Sequence, residues 1–481
     1  MTGRRAIGGL VAVAAVVVLI GWWSSWLTVA PARADGFQNL AAGWNLARTG
    51  TFSTRPDGRP DMFREPLVPV LTAAAIRLAE AGSPSASLAD WSGGERVRAL
   101  KHQNLIWMLL LCGGVWGAVR GLGASRVSAG AAVMLANGVA FGLRREFVDS
   151  LGSDLAGAAL LVTASALLAR GWISTHWRWW IAAGLVLGLA ILVKASLLYV
   201  SIGLAAALTL LAAWRAKGLP GDNRGVAILL MLLTAAAVTT PWSERNFHQF
   251  GTRALTDRGG EVLLIRAYED QVTPTEYAGV WCAYAPGRLR PWICRAGGWS
   301  RADMAPGGRL GRFNRAPADD PDAIRRAAEP GTGPAPGLSF YQTAKARNQL
   351  LAERYAARKS PRTAVDAAAR QEAVALIRAR PDLHLAMTPA FLWRGMGGLT
   401  VWLALAALAA LVWRRDAVAV FLLPSVGLGL FLALFSHFIP RYAWLMLPAV
   451  CVVLPVFLEA TWLRLVSRVR ASAPRPGLTG R

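Results

Sequence analysis

Cysteine and histidine are scarce: 481 residues hold four of the first and five of the second. No Cys/His cluster has the spacing of a structural zinc site. Two cysteines, Cys112 and Cys451, fall inside apolar runs, where cysteine behaves as a small packing residue. Charge is also thin at 17%, and no repeat of fixed period is visible. What charge there is leans to one sign, with 52 Lys and Arg against 28 Asp and Glu, a formal net charge of +24. A nucleic-acid footprint would concentrate that excess in one soluble patch. Here it is spread over short turns and one long loop, so nucleic acid is not expected as a partner. Orientation in a bilayer and contact with anionic headgroups account for the same excess.

Apolar residues are abundant. They make up 54% of the chain, and the mean hydropathy is +0.37, more than a soluble fold of this size can bury. Runs near the roughly 20 residues needed to cross a bilayer lie at Ala6–Leu27, Gln103–Val119, Val127–Leu143, Leu151–Ala169, Trp179–Val193, Ser196–Trp214, Val226–Pro241, Leu399–Trp413, Ala417–Phe435 and Tyr442–Leu463. These predict an all-α polytopic membrane protein of about ten transmembrane helices. Arg4 and Arg5, the Arg120–Arg126 turn, Arg170 with Arg178, Arg215 with Lys217 and Arg224, Arg414 with Arg415, and the tail from Arg464 all fall on one side if the N-terminus is cytoplasmic. Ala32-Arg33-Ala34 imitates a signal-peptide cleavage site, but the preceding apolar stretch, ending in Trp22, Trp23 and Trp26, exceeds an h-region of roughly 7 to 15 residues.

This topology divides the chain into a transmembrane core, 1–241, with an external loop at 28–102; an external insert, 242–397; closing transmembrane helices, 398–463; and a basic cytoplasmic tail, 464–481. The external loop is expected to carry short juxtamembrane helices at Gly36–Arg48 and Pro66–Ala81. In the insert, Ser339–Arg358 and Thr363–Arg380 read as helices, and 302–337, rich in Pro, Gly and charge, as flexible. Cys282 and Cys294 both lie in this insert, where an oxidising compartment permits a disulfide.

Charged residues at the external ends of the spans are Asp35, Arg64, Glu65, Arg144, Arg145, Glu146, Asp149, Asp154, Lys194, Glu244, Arg245, His437 and Arg441. Ionised groups at a membrane boundary are costly, and carboxylates gathered with fixed cations suit a substrate bearing both a phosphate and a hydroxyl.

Order and context add a resemblance. An acid after the first span with Ala41–Phe52 behind it, REPLVPVL (Arg64–Leu71), SDLA (Ser153–Ala156), GLVLGLAILVK (Gly184–Lys194), PWSERNFHQFG (Pro241–Gly251) followed by Gly259-Gly260, IRARPDLHL (Ile377–Leu385) and PRYAWLMLP (Pro440–Pro448) together resemble the GT-C superfamily of membrane glycosyltransferases. The likeness is to the branch of dolichyl-phosphate-mannose protein mannosyltransferases and lipid A aminoarabinose transferases. It implies a GT-C-like fold and transfer of a sugar from a polyprenyl-phosphate donor to an external acceptor, usually with inversion. It implies Asp35 as general base and Asp154 as a second active-site acid. Arg245, Lys194, Arg441 and Arg64 are the expected ligands of the lipid phosphate, with Glu65, Asn39 and Asn246 as neighbours. The family often has a second acid after the first; this chain has Gly36, which weakens a paired-acid motif. The sequence specifies no cofactor and leaves a divalent metal open.

The expected setting is a bacterial inner membrane with a periplasmic active site and cytoplasmic termini. The acceptor could be a protein, a lipid or a glycan. A lipid or solute transporter and a non-catalytic membrane scaffold are the competing classes. A transporter should carry its charges near mid-bilayer on broken helices.

Overall fold

The computed structural model describes residues 16–81, 86–143, 145–174, 176–215, 223–316, 320–329, 338–358 and 360–472. Arg4, Arg5, Arg144, Lys217, residues 6–15 of the first apolar run and the tail beyond 472 lie outside the described residues. Among the described residues, all regular elements are helical.

Among the described residues, seven helices are long and apolar enough to cross a membrane: Gly94–Gly121, Arg126–Leu143, Asp154–Ser174, Ser196–Arg215, Arg224–Phe250, Asp416–Phe435 and Pro440–Arg468. An eighth arises if Pro381–Arg394 and Leu399–Val412, bent by 92° at a short break, count as one span. The expected count of about ten is therefore not reached among the described residues. Trp177–Ile191 is helical and apolar but short, and Val16–Ser25 is the described part of the first run. The break before Leu399 is made by Gly397 and Gly398, both in the left-handed region at φ 68° and 80°.

Asp154–Ser174 is the hub of the membrane body, its side chains largely buried against Gln103–Gly121, Trp177–Ile191 and Asp416–Phe435. Trp177–Ile191 in turn packs closely on Arg224–Phe250. A Cβ at Gly188 would stand 2.6 Å from the Val238 Cβ, so the Gly184/Gly188 pair sets how near the two backbones come.

The loop expected to be external holds the helices Ala34–Thr49 and Leu67–Ala79, followed by the short Leu88–Trp91 and Gly94–Lys101. The first has Asp35 in its opening turn, where the helix dipole favours an acid, and stops at Gly50 in the left-handed conformation. Pro66 precedes the second. They pack where Gly43 meets Thr72, a contact that leaves no room for a side chain.

The stretch from 251 to 380 contains a small helical bundle, Gly259–Glu269, Phe340–Arg354 and Pro361–Ala379, cored by Leu264, Ala267, Leu351, Val365, Ala369 and Ala373. Gly260 donates its amide to Asp366 Oδ1 at 2.6 Å, which fastens the first of these helices to the last. Cys282 and Cys294 form a disulfide closing the Pro274–Ala283 and Arg290–Ala296 helices. Of the stretch expected to be flexible, 302–316 is packed instead: Leu310 and Phe313 are buried and Arg312 pairs with Glu276 at 3.0 Å. These apolar and ionic anchors outweigh the surrounding Pro and Gly. Residues 317–319 and 330–337 lie outside the described residues.

Several contacts bind this region to the rest. Arg266 donates to Ala433 O at 3.1 Å. Asp257 donates its amide to Met62 O at 3.3 Å, and Arg362 pairs with Asp61 at 3.2 Å.

Candidate active site

Asp35, Arg64, Asp154, Lys194 and Arg441 are far apart in sequence and meet in space. Each is delivered by an end or a break in a helix: Asp35 by the first turn of Ala34–Thr49, Asp154 by the first residue of its span, Arg441 by the short Pro440–Ala443 helix. Lys194 stands in the interruption between Trp177–Ile191 and Ser196–Arg215.

Arg441 joins the two acids. Its Nη2 is 3.1 Å from Asp35 Oδ2, while its Nε donates to Asp154 Oδ2 at 2.7 Å. Lys194 Nζ completes Asp154 at 3.0 Å from Oδ1. On the other side of Asp35, Arg64 Nη1 donates to Oδ1 at 2.9 Å. Arg64 is almost wholly buried, and its Nε donates to Asn39 Oδ1 at 3.2 Å. Asn39 is fixed in turn by donating to Leu151 O at 2.8 Å. Arg258 approaches Asp35 at 4.0 Å.

Burial alone would raise the pKa of Asp35. Arg64, Arg258, Arg441 and Lys194 outweigh it and hold the carboxyl at about 2, so the group is ionised throughout the physiological range.

Asp35, Arg64, Lys194 and Arg258 border a cavity of about 650 Å³, and Arg441 and Asp154 reach it only through their ion pairs with Asp35 and Lys194. Its polar part carries Asp35, Arg64, Glu65, Lys194, Arg253, Arg258 and Arg370; its apolar part is built from Leu198, Tyr199, Leu428, Phe431, Leu432 and Phe435. Tyr199 stacks on Phe431 with centroids 5.3 Å apart, and both Tyr199 and Phe435 are exposed on the apolar side. The cavity therefore joins a cationic floor to an apolar flank between two spanning helices, Ser196–Arg215 and Asp416–Phe435.

Two expected phosphate neighbours stand elsewhere. Arg245 does not line the cavity. Its guanidinium donates to Asp61 O and Asn246 Oδ1, both at 2.8 Å, and to Phe52 O at 3.2 Å, and lies over Trp242 and Phe52. The Arg224–Phe250 helix runs past the end of its apolar stretch, and this turns Arg245 toward the first external loop. Asn246 is fully buried and donates to Ala254 O at 2.8 Å. Glu65 borders the cavity while its Oε1 accepts from the Ala195 amide at 3.3 Å.

Arg258, Arg253 and Arg370 are the cavity cations that sequence reading missed. The only nearby signal was Gly259-Gly260: a close backbone approach there implies that the preceding residue faces the same junction. Among the described residues, no group of three or more His, Cys, Asp or Glu side chains is placed to hold a metal ion.

Residues 93–243 match the family model described as dolichyl-phosphate-mannose-protein mannosyltransferase. No curated protein matches the chain. Among solved structures, the archaeal oligosaccharyltransferase AglB from Archaeoglobus fulgidus, in complex with an inhibitory peptide and a dolichol-phosphate, aligns at 15% identity and TM-score 0.47. That alignment covers 97% of this chain and 52% of AglB, so the chain spans about half the length of AglB. ArnT from Cupriavidus metallidurans bound to undecaprenyl phosphate aligns at 14% identity and TM-score 0.37, over 92% of this chain and 78% of ArnT. The family match falls on the part of the helical membrane body that carries Asp154 and Lys194, and over that stretch the chain is similar to dolichyl-phosphate-mannose-protein mannosyltransferases.

Proposed function

We propose that this protein transfers a glycosyl group from a polyprenyl-phosphate-linked sugar to an acceptor hydroxyl at the external face of a bacterial inner membrane, with inversion at the anomeric carbon. The observation that carries this reading is the cavity of about 650 Å³, whose cationic floor meets an apolar flank between two spanning helices. A donor with a phosphate head and a hydrocarbon tail matches both halves. The match of residues 93–243 to the mannosyltransferase family model supports a glycosyltransferase.

In this reading Lys194, Arg258 and Arg441 bind the donor phosphate, while Asp35 receives the acceptor. The acceptor oxygen forms a bond to the anomeric carbon as the bond from that carbon to the phosphate oxygen breaks. The leaving electron pair stays on the phosphate, where the cations offset the charge that develops. The hydroxyl proton passes to the Asp35 carboxylate.

A carboxyl held at about 2 is a poor proton acceptor, so the cations that hold it matter. A donor phosphate competes with Asp35 and Asp154 for Arg441 and Arg258. Drawing those guanidinium groups toward phosphate frees the Asp35 oxygens to accept a proton. Arg64, held by Asn39, stays to orient the carboxylate.

The test is sugar transfer in membranes, read by mass spectrometry of lipids and envelope glycans with wild type and Asp35→Asn at equal expression. Loss of the product in Asp35→Asn, with undecaprenyl-phosphate binding retained, is expected. Unchanged transfer would sink the assignment of Asp35, and an absence of any glycan difference between cells with and without the protein would sink the glycosyltransferase reading. The same comparison names the sugar and its attachment point.

A further inference from the structure

Arg315 presents an unusual edge. Its guanidinium lies over Tyr341, with Cζ 3.9 Å from the ring centroid, and its Nε and Nη2 are buried with no hydrogen-bond partner among the described residues. Those two nitrogens form the side of the guanidinium that grips an oxyanion by two parallel hydrogen bonds. The backbone beneath is held, because Gln342 donates to Arg315 O at 2.8 Å. A buried guanidinium edge without acceptors is costly, which points to a ligand that supplies them.

Other cations around it are already committed. Arg394 pairs with Glu269 at 3.2 Å, Lys345 pairs with Glu261, and Arg258 faces Asp35. Among the other buried polar atoms without a hydrogen-bond partner, His437 Nδ1 belongs to a ring next to Tyr341, on which Arg315 lies, and Ser436 Oγ belongs to the preceding residue. Rings connect this place to the catalytic cavity. Tyr341 and His437 have centroids 6.3 Å apart, His437 and Tyr442 6.0 Å, and Tyr442 lies 6.0 Å from Lys194 Nζ. Ser436 and Tyr442 both border the cavity.

We infer that Arg315, His437 and Ser436 form a second oxyanion subsite, separate from the lipid-phosphate cations, which binds a phosphate or carboxylate group carried by the acceptor. This rests on the glycosyltransferase reading for the word acceptor. A monophosphate donor has one phosphate, already matched by Lys194, Arg258 and Arg441, so a second anion belongs to the other substrate. The acceptor class is then an anionic glycan or lipid rather than a neutral hydroxyl.

The test uses the full-length protein in nanodiscs saturated with undecaprenyl phosphate, with radiolabelled inorganic phosphate followed by equilibrium dialysis. One phosphate per chain is expected to bind to wild type. Arg315→Ala should weaken it at least tenfold, and Arg315→Lys, which keeps the charge and loses the two-pronged edge, by a smaller factor, with undecaprenyl-phosphate affinity unchanged in both. Competition by glucuronate against phosphate assigns the anion: displacement at lower concentration than unlabelled phosphate indicates a carboxylate, and the reverse a phosphate. No phosphate bound to the lipid-saturated protein, or equal binding by wild type and both variants, would overturn the inference. Failure of undecaprenyl phosphate itself to bind would count against the donor reading alone, since Arg315-dependent phosphate binding is then measured without the lipid.

Discussion

Arg441 holds Asp35 and Asp154 at once, 3.1 Å from one carboxylate and 2.7 Å from the other, although the first acid begins a juxtamembrane helix and the second begins a span. One guanidinium can do this because its nitrogens point in different directions; an ammonium is a single point of charge. Arg441→Lys should therefore keep the charge and lose the bridge. We expect sugar transfer to fall at least tenfold in Arg441→Lys and further in Arg441→Ala. Leaving Asp154 with one partner fewer should also destabilise Arg441→Ala by about 3 kcal/mol, measured as a lower thermal midpoint in detergent. Full activity in Arg441→Lys would show that charge alone suffices.

Arg258 and Arg245 make opposite predictions. Arg258 borders the cavity and faces Asp35, so Arg258→Ala should weaken undecaprenyl-phosphate binding by about tenfold with little change in thermal midpoint, a loss worth about 1.4 kcal/mol. Arg245 binds the Phe52 and Asp61 carbonyls, so Arg245→Ala should lower the midpoint and leave the affinity of the folded fraction nearly unchanged. A large affinity loss in Arg245→Ala at an unchanged midpoint would restore Arg245 as a phosphate ligand.

Asp257 should make stability depend on pH. Burial raises its pKa to about 6; Arg362 opposes this, while Asp61 and Asp366 add to it. Its Oδ1 is buried with no hydrogen-bond partner among the described residues. Folded Asp257 thus keeps a proton that the unfolded chain has released, from the ordinary carboxyl value of 3.8 up to about 6. Over that window stability falls as pH rises, by an amount on the order of 2 to 3 kcal/mol. Asp257→Asn should raise the thermal midpoint at pH 7 and leave it near wild type at pH 4. Equal shifts at both values would refute the titration.

Asp35 has the reverse sign. Its folded pKa of about 2 lies below 3.8, so its ion pairs contribute in full above pH 3.8 and are lost only as pH falls through 2. In the absence of donor, mutating Asp35 should leave the pH dependence of stability between 5 and 8 unchanged, which thermal scans across that range would check.

The Cys282–Cys294 bridge closes a loop with a sequence separation of 12. Replacing both by serine should destabilise this part of the insert by about 3 kcal/mol, read as faster proteolysis of that segment in the intact protein, with the membrane helices remaining folded. Equal proteolysis with and without the bridge would contradict this.

Much of the fold was legible because a bilayer imposes simple rules on sequence. Apolar runs predicted helices now seen at Gln103–Gly121, Asp154–Ser174, Ser196–Arg215 and Asp416–Phe435. Proline starts and periodicity predicted Pro361–Ala379, and the juxtamembrane pair of the first loop was visible as well. The count of spans was less legible, since length depends on where a helix bends: Gly397 and Gly398 turn one apolar run by 92° away from the helix before it. The four candidate residues that meet in space, Asp35, Asp154, Lys194 and Arg441, were legible because charge at a helix end stands out against apolar neighbours. Arg258 was not. Its position depends on the Asp257 amide reaching Met62 and on Gly260 reaching Asp366, pairings that no local pattern announces. Arg245 stands apart from the cavity lining for the related reason that helix rotation, which sequence adjacency does not reveal, decides where a side chain points.

The interruption that carries Lys194 has a cost of its own, for a chain that stops being helical between two apolar helices leaves amides and carbonyls without their usual partners. Here those groups are met from outside: Leu67 donates its amide to Leu192 O at 3.1 Å, and Ala195 donates to Glu65 at 3.3 Å. The first loop thus serves as a splint for a broken membrane helix. Glu65, beside the cavity yet turned to the backbone, keeps the fracture open at the place where a positive charge is required.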